Sequence, residues 1–181
     1  EECMRLFIGK MVRSQQALIE ANTGQPLTDA WMQRFYARRN AALERDVAAI
    51  DGAPSAVRQL FGRLQGRIAC ASGADRAKVE MQLRITGMLP YFDGRIFSGH
   101  ELPRTKPHPD VYLAAAAALK VDPARCLVIE DSVTGTSAGV AAGATVWAYH
   151  PPAHAASSAE ELLAAGAVRL FPRMALLEEW L

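Results

Sequence analysis

Residues 104–149 read RTKPHPDVYLAAAAALKVDPARCLVIEDSVTGTSAGVAAGATVWAY. A helical pattern at about 108–120 leads into the apolar run Cys126–Glu130, and a second at about 134–142 leads into the β-branched run Thr145–Tyr149. Helix and strand alternating in this way predict parallel strands joined by right-handed helical crossovers. The stretch also sets one lysine, Lys106, between a threonine and a proline, and ends its first apolar run on two acids, Glu130 and Asp131. Two carboxylates closing a buried run repel each other and lose solvation unless something positive meets them.

The same alternation extends outward. Short apolar runs lie at 67–71, 95–97, 126–130, 145–149 and 167–171, with helical patterns at about 54–64, 75–86, 108–120, 134–142 and 158–165 and a last one near Trp180. This predicts an α/β fold with an open parallel sheet covered on both faces. Residues 1–48 read instead as helix after helix, with a polar joint NTGQPLTDA at 22–30. Between Asp29 and Val47, Trp31, Phe35, Ala42 and Leu43 approximate one apolar face, with Thr28 or Asp29 as N-cap. A Gly/Pro joint at 49–54 predicts a hinge, with the α/β unit at 55–181.

The bulk numbers exclude several functions. Twenty basic and 19 acidic side chains leave a net charge of +1, without the basic face expected for nucleic-acid or membrane-surface binding. No apolar run reaches the roughly 18 residues a membrane span requires. The three cysteines, Cys3, Cys70 and Cys126, are odd in number and lack metal-ligand spacing, which predicts reduced thiols in a cytosolic protein.

In an open parallel sheet, ligands bind beyond the carboxyl ends of the strands. Those ends deliver Ser72 and Gly73, then Ser98, Gly99 and the loop to Lys106, then Glu130, Asp131 and Ser132. Hydroxyls, helix N-termini and a lysine suit a phosphate, and adjacent carboxylates beside it suit Mg²⁺. Small residues at Gly135, Ala138, Gly139 and Ala142 let the following helix lie close to the sheet. Each residue taken singly has a plainer reading: Ser72 as an N-cap, Lys106 as a solvated loop lysine held by Pro107, Asp131 as a cap for the helix at 134. Their order and spacing favour phosphoryl chemistry.

The segments ASGADRAK (71–78), SGHELPRTKPHPDVYLAAA (98–116) and LVIEDSVTGTSAGVAAGA (127–144) resemble the haloacid-dehalogenase-like hydrolases. The resemblance is to the branch that contains β-phosphoglucomutase and small sugar-phosphate phosphatases. It implies a Rossmann-like core with residues 1–48 as part of a helical cap. It further implies that Ser72 holds a phosphoryl oxygen, that Lys106 offsets the charge of nucleophile and phosphoryl group, and that Asp131, with Glu130 beside it, holds Mg²⁺. The family's nucleophile is an aspartate of a D-x-D pair ending the first core strand, and no D-x-D occurs in these 181 residues. The expectation is a larger protein of which about the first forty residues, that strand included, are absent here. The mutase members carry K-G-x-S-R in the cap; here FIGKMVRS (7–14) places Arg13 one position too late. Lys10, Arg13, Arg39 and Asn40 are candidates for a second anionic group of the substrate.

The resulting expectation is a cytoplasmic, monomeric, Mg²⁺-dependent phosphatase of a small phosphorylated metabolite, a sugar phosphate or sugar-acid phosphate, working through an aspartyl-phosphate. The alternatives are a phosphomutase on the same scaffold and a non-catalytic phosphate-binding protein.

Overall fold

The structure, a computed structural model, describes residues 12–153 and 155–181. The chain divides after Val47 into two compact units.

In the first unit, a 3-10 turn at Val12–Gln15 leads into α1 (Gln16–Thr23), and α2 follows at Asp29–Asp46. Gly24 stops α1 in the left-handed region, φ +66°, where an L side chain is disfavoured, and returns its N–H to Glu20 O. Thr28, not Asp29, caps α2 by accepting from Trp31 N at 3.2 Å. The polar joint is anchored by its one large apolar residue: Leu27 is buried, and its N–H donates to Glu20 Oε1 at 2.7 Å. Met32 is the buried residue of α2. Trp31 and Phe35, expected on the buried face, are only half-buried and stack on each other with ring centroids 5.5 Å apart. Residues at i and i+4 share a helix face, so each ring covers part of the other.

In the second unit the order is α3 (Ala53–Arg63), β1 (Cys70–Ser72), α4 (Arg76–Ile85), β2 (Ile96–Ser98), α5 (Asp110–Leu119), β3 (Leu127–Glu130), α6 (Val133–Ala141), β4 (Thr145–Tyr149), α7 (Ala159–Ala164), β5 (Arg169–Phe171) and α8 (Leu176–Trp180). All pairings are parallel, with Cys70 opposite Ile96, Ile129 opposite Trp147, and Ala148 opposite Leu170. The single sheet expected from the sequence is two among the described residues: β1–β2 and β3–β4–β5. Cys70 N bonds to Arg95 O, so by alternation Ala71 turns its own N–H and C=O away from β2. The ammonium of Lys106, 3.2 Å away, takes that carbonyl.

Two helices hold the sheets side by side. On one face Val111 and Tyr112 of α5 pack with Val128 and Val146 of the larger sheet and with Ala71 and Phe97 of the smaller. On the other, α3 sends Ala56 and Leu60 against Phe171, Ile129 and Trp147, and Val57 into the cluster of Val79, Phe92 and Ile96. Neighbouring strand residues such as Val128 and Ile129 therefore serve opposite cores, the period of two that a doubly covered sheet requires. Each such buried aliphatic contributes about 1.5–3 kcal/mol over its exposed state.

Candidate active site at the strand ends

The loop between β2 and α5 carries Lys106. It is closed by the ion pair of Arg104 Nη2 with Asp110 Oδ1 at 2.8 Å, and the Lys106–Pro107 peptide within it is cis. The Arg104 guanidinium holds the Asp110 carboxyl below its usual range. Lys106 donates to Ala71 O of β1 and forms an ion pair with Glu130 Oε1 at the end of β3. Its ammonium also lies 4.8 Å from the centroid of the Tyr112 ring.

Glu130 is the last residue of β3 and is buried, whereas Asp131, one position on, is exposed. Period-two alternation separates the two acids that stand together in the sequence. Oε1 of Glu130 accepts from Lys106 and from the Tyr112 hydroxyl. Oε2 accepts from Ser132 Oγ at 3.0 Å and lies 3.2 and 3.4 Å from Asp131 N and Ser132 N. Gly135 makes room for this carboxylate, since a Cβ there would stand 2.0 Å from Glu130 Cδ. Burial alone would push the Glu130 carboxyl up, but the Lys106 charge and the donors around it hold it below the usual range. The Tyr112 phenol is pushed well up, by burial first and then by Glu130. Asp131 is also raised, by desolvation at the strand end and then by the Glu130 charge beside it.

At the end of β1, Ser72 Oγ accepts from Ala74 N at 3.1 Å; the helix that follows is capped by Asp75, so the N-cap reading of Ser72 does not hold. Gly73 is exposed, and a Cβ there would meet nothing within 4 Å. The helix after β3 is capped by Ser132, not Asp131. Lys106 thus meets the residue before Ser72 on one side and the residue before Asp131 on the other. The cap candidates belong to the first unit. Arg13 is ion-paired with Asp29, and Arg39 lies over the Tyr36 ring and donates to Asn40 Oδ1 at 2.8 and 3.0 Å. Lys10 and Cys3 lie outside the described residues, while Cys70 and Cys126 are free thiols.

Ser132 was read from the sequence only as a strand-end residue, not as a partner of Glu130. Tyr112 was not singled out: inside an alanine-rich helix it carried no signal beyond being its one polar-tipped aromatic.

Mg²⁺ takes oxygen ligands and retains several waters, so one or two carboxylates suffice to hold it. No other residue donates to the Asp131 carboxylate among the described residues, and that side chain fits the role. The Glu130 oxygens are already engaged by protein donors. No group of three His, Cys, Asp or Glu side chains able to hold a metal occurs among the described residues.

The chain is 35% identical over 139 residues to the bifunctional riboflavin kinase/FMN phosphatase of Arabidopsis thaliana, covering 75% of the chain and 36% of that protein. It is 26% identical over 155 residues to the 6-phosphogluconate phosphatase of Escherichia coli, covering 85% of the chain and 68% of that protein. The chain therefore spans about a third of the first relative's length and about two thirds of the second's. A crystal structure of a haloacid-dehalogenase-family hydrolase from Deinococcus radiodurans, with bound phosphate and sodium, superimposes with a TM-score of 0.74 at 34% identity over 95% of this chain and 75% of that one. The haloacid dehalogenase-like hydrolase model matches residues 4–143, and with Lys106 bridging the two strand ends that carry its neighbouring motifs, the chain belongs to the haloacid dehalogenase-like hydrolases.

Proposed function

We propose that the protein is a Mg²⁺-dependent phosphatase of a small phosphorylated metabolite, with Ser72, Lys106 and Asp131 at one site. The observation that carries the reading is the position of Lys106, whose ammonium joins the end of β1 to the end of β3. A cation at that point meets a phosphoryl group where ligands enter an open α/β sheet. The phosphatase relatives support this reaction class, and the 6-phosphogluconate phosphatase supports a sugar phosphate or sugar-acid phosphate as substrate.

In this reading Ser72 donates its hydroxyl to a phosphoryl oxygen and the Gly73 backbone borders the same oxygen. Lys106 offsets the charge that gathers on the equatorial oxygens as the phosphoryl group transfers. Glu130 orients Lys106 rather than touching substrate. Asp131 holds Mg²⁺, which when bound neutralises phosphoryl charge. No D-x-D pair occurs in these 181 residues, so the aspartyl-phosphate step is assigned to no residue of this chain. Lys10, Arg13, Arg39 and Asn40 are the cap candidates for a second anionic group. Residues 1–48 as cap, 49–54 as hinge and 55–181 as core, a cytoplasmic location and a monomer complete the proposal; no helix among the described residues is long and apolar enough to cross a membrane.

The test is a phosphate-release screen of the full-length protein over phosphorylated sugars, sugar acids and nucleotides, with Mg²⁺ and with chelator. Turnover that needs Mg²⁺ and falls by about two orders of magnitude in Lys106→Ala supports the reading. Full activity in chelator overturns the metal role, and an isomeric phosphate ester in place of free phosphate overturns hydrolysis.

A further inference from the structure

We propose that Tyr112 is a positioning residue for Lys106, holding the ammonium with its ring face and holding the partner carboxylate with its hydroxyl. The inference rests on the reading of Lys106 given above. A lysine has a flexible four-carbon stem and three donors, so an ion pair alone leaves its ammonium several places to sit. Here the alternatives are closed off. The Tyr112 ring lies 4.8 Å from Nζ, within the range of a cation–π contact, and its hydroxyl donates to the same Glu130 oxygen that accepts from Lys106. Glu130 cannot turn away, because Ser132 and Asp131 hold Oε2 and Gly135 backs the carboxylate.

Tyr112 is itself fixed, buried on the first turn of α5 in the cluster with Val111, Val128, Ala138 and Val146. Packing alone explains the ring but not the hydroxyl. A phenylalanine would fill the same apolar volume without a polar atom to satisfy. The hydroxyl is directed at the carboxylate oxygen that pairs with Lys106.

The test uses the full-length protein and Tyr112→Phe, which keeps the ring and removes the hydroxyl. Three readouts separate positioning from packing: kcat against KM for phosphate release, the rate at which acetic anhydride acetylates Lys106 as read by peptide mass spectrometry, and the effect of Tyr112→Phe in a Lys106→Met background. The expected results are a kcat about ten-fold lower with KM within about two-fold, and Lys106 acetylation about ten-fold faster. In the Lys106→Met background, Tyr112→Phe should cause no further loss of the residual rate. An equal kcat loss in both backgrounds, or unchanged Lys106 acetylation, would overturn the proposal. If the wild type releases no phosphate from any substrate, the proposed function fails, and the acetylation ratio alone still decides for or against Tyr112.

Discussion

Lys106 Nζ and Glu130 Oε1 form an ion pair between side chains only 12% and 8% exposed, although 24 positions separate them in the chain. Removing one member leaves a buried charge without its counter-charge, which typically costs about 3–5 kcal/mol. Lys106→Met should therefore be strongly destabilising in urea unfolding, and Lys106→Met combined with Glu130→Gln should recover much of the loss. Two single losses that simply add in the double variant would show that the pair is not coupled.

The pH dependence of stability should reverse sign with Lys106. In the wild type the Glu130 pKa is depressed below its ordinary 4.5. Its contribution is therefore fully present above that value and lost as pH falls through the lower folded-state pKa. Without Lys106, burial dominates and raises the folded-state pKa. Stability of Lys106→Met should then decline as pH rises from about 4.5 towards neutrality. Chemical unfolding of both proteins between about pH 4 and 8 checks this, and curves of the same slope would refute it.

Asp131→Asn should separate stability from activity. The Asp131 carboxyl is raised by desolvation and by Glu130, so in the absence of metal its charge opposes folding at neutral pH. The variant should melt no lower than wild type in chelator, and higher if the repulsion is felt. It should lose the thermal shift that Mg²⁺ gives the wild type, together with most turnover. An intact Mg²⁺ shift would place the metal elsewhere.

Gly135→Ala and Gly73→Ala should differ sharply although both glycines border the site. A methyl at 135 would overlap the Glu130 carboxylate, which five donors hold in place, whereas one at 73 meets open space. Gly135→Ala should cost about 2–3 kcal/mol and impair Lys106, while Gly73→Ala should change stability by no more than about 0.5 kcal/mol. Thermal melts of the two variants, run together with the turnover assay, compare them directly.

Much of this architecture is legible locally. β4 occupies the run Thr145–Tyr149 read from the sequence, because alternating Val146 and Ala148 against Trp147 and Tyr149 suits a strand covered on both faces. The runs at 67–71 and 167–171 begin late as strands, at Cys70 and Arg169, since an apolar run marks what can be buried but pairing marks where a ladder forms. Small residues after β3 were read as a close approach to the sheet; Ala138 and Ala142 pack with Val128 and Val146, a Cβ at Gly139 would stand 2.7 Å from Val146, and at Gly135 the close neighbour is the Glu130 side chain.

By itself the sequence determined the alternation of helices and parallel strands, the strand ends that bear Ser72, Lys106 and the two acids, and the resemblance of those motifs to one family. These follow from local spacing, which secondary structure reads directly. Only the tertiary structure decided that Glu130 turns inward to Lys106 while Asp131 stays exposed, and that Tyr112 reaches the same oxygen. Among the described residues it also separated the strands into two hydrogen-bonded sheets under shared helices. Those relationships join residues 18 to 35 positions apart, and they are set by how α5 packs across both sheets rather than by any periodicity along the chain.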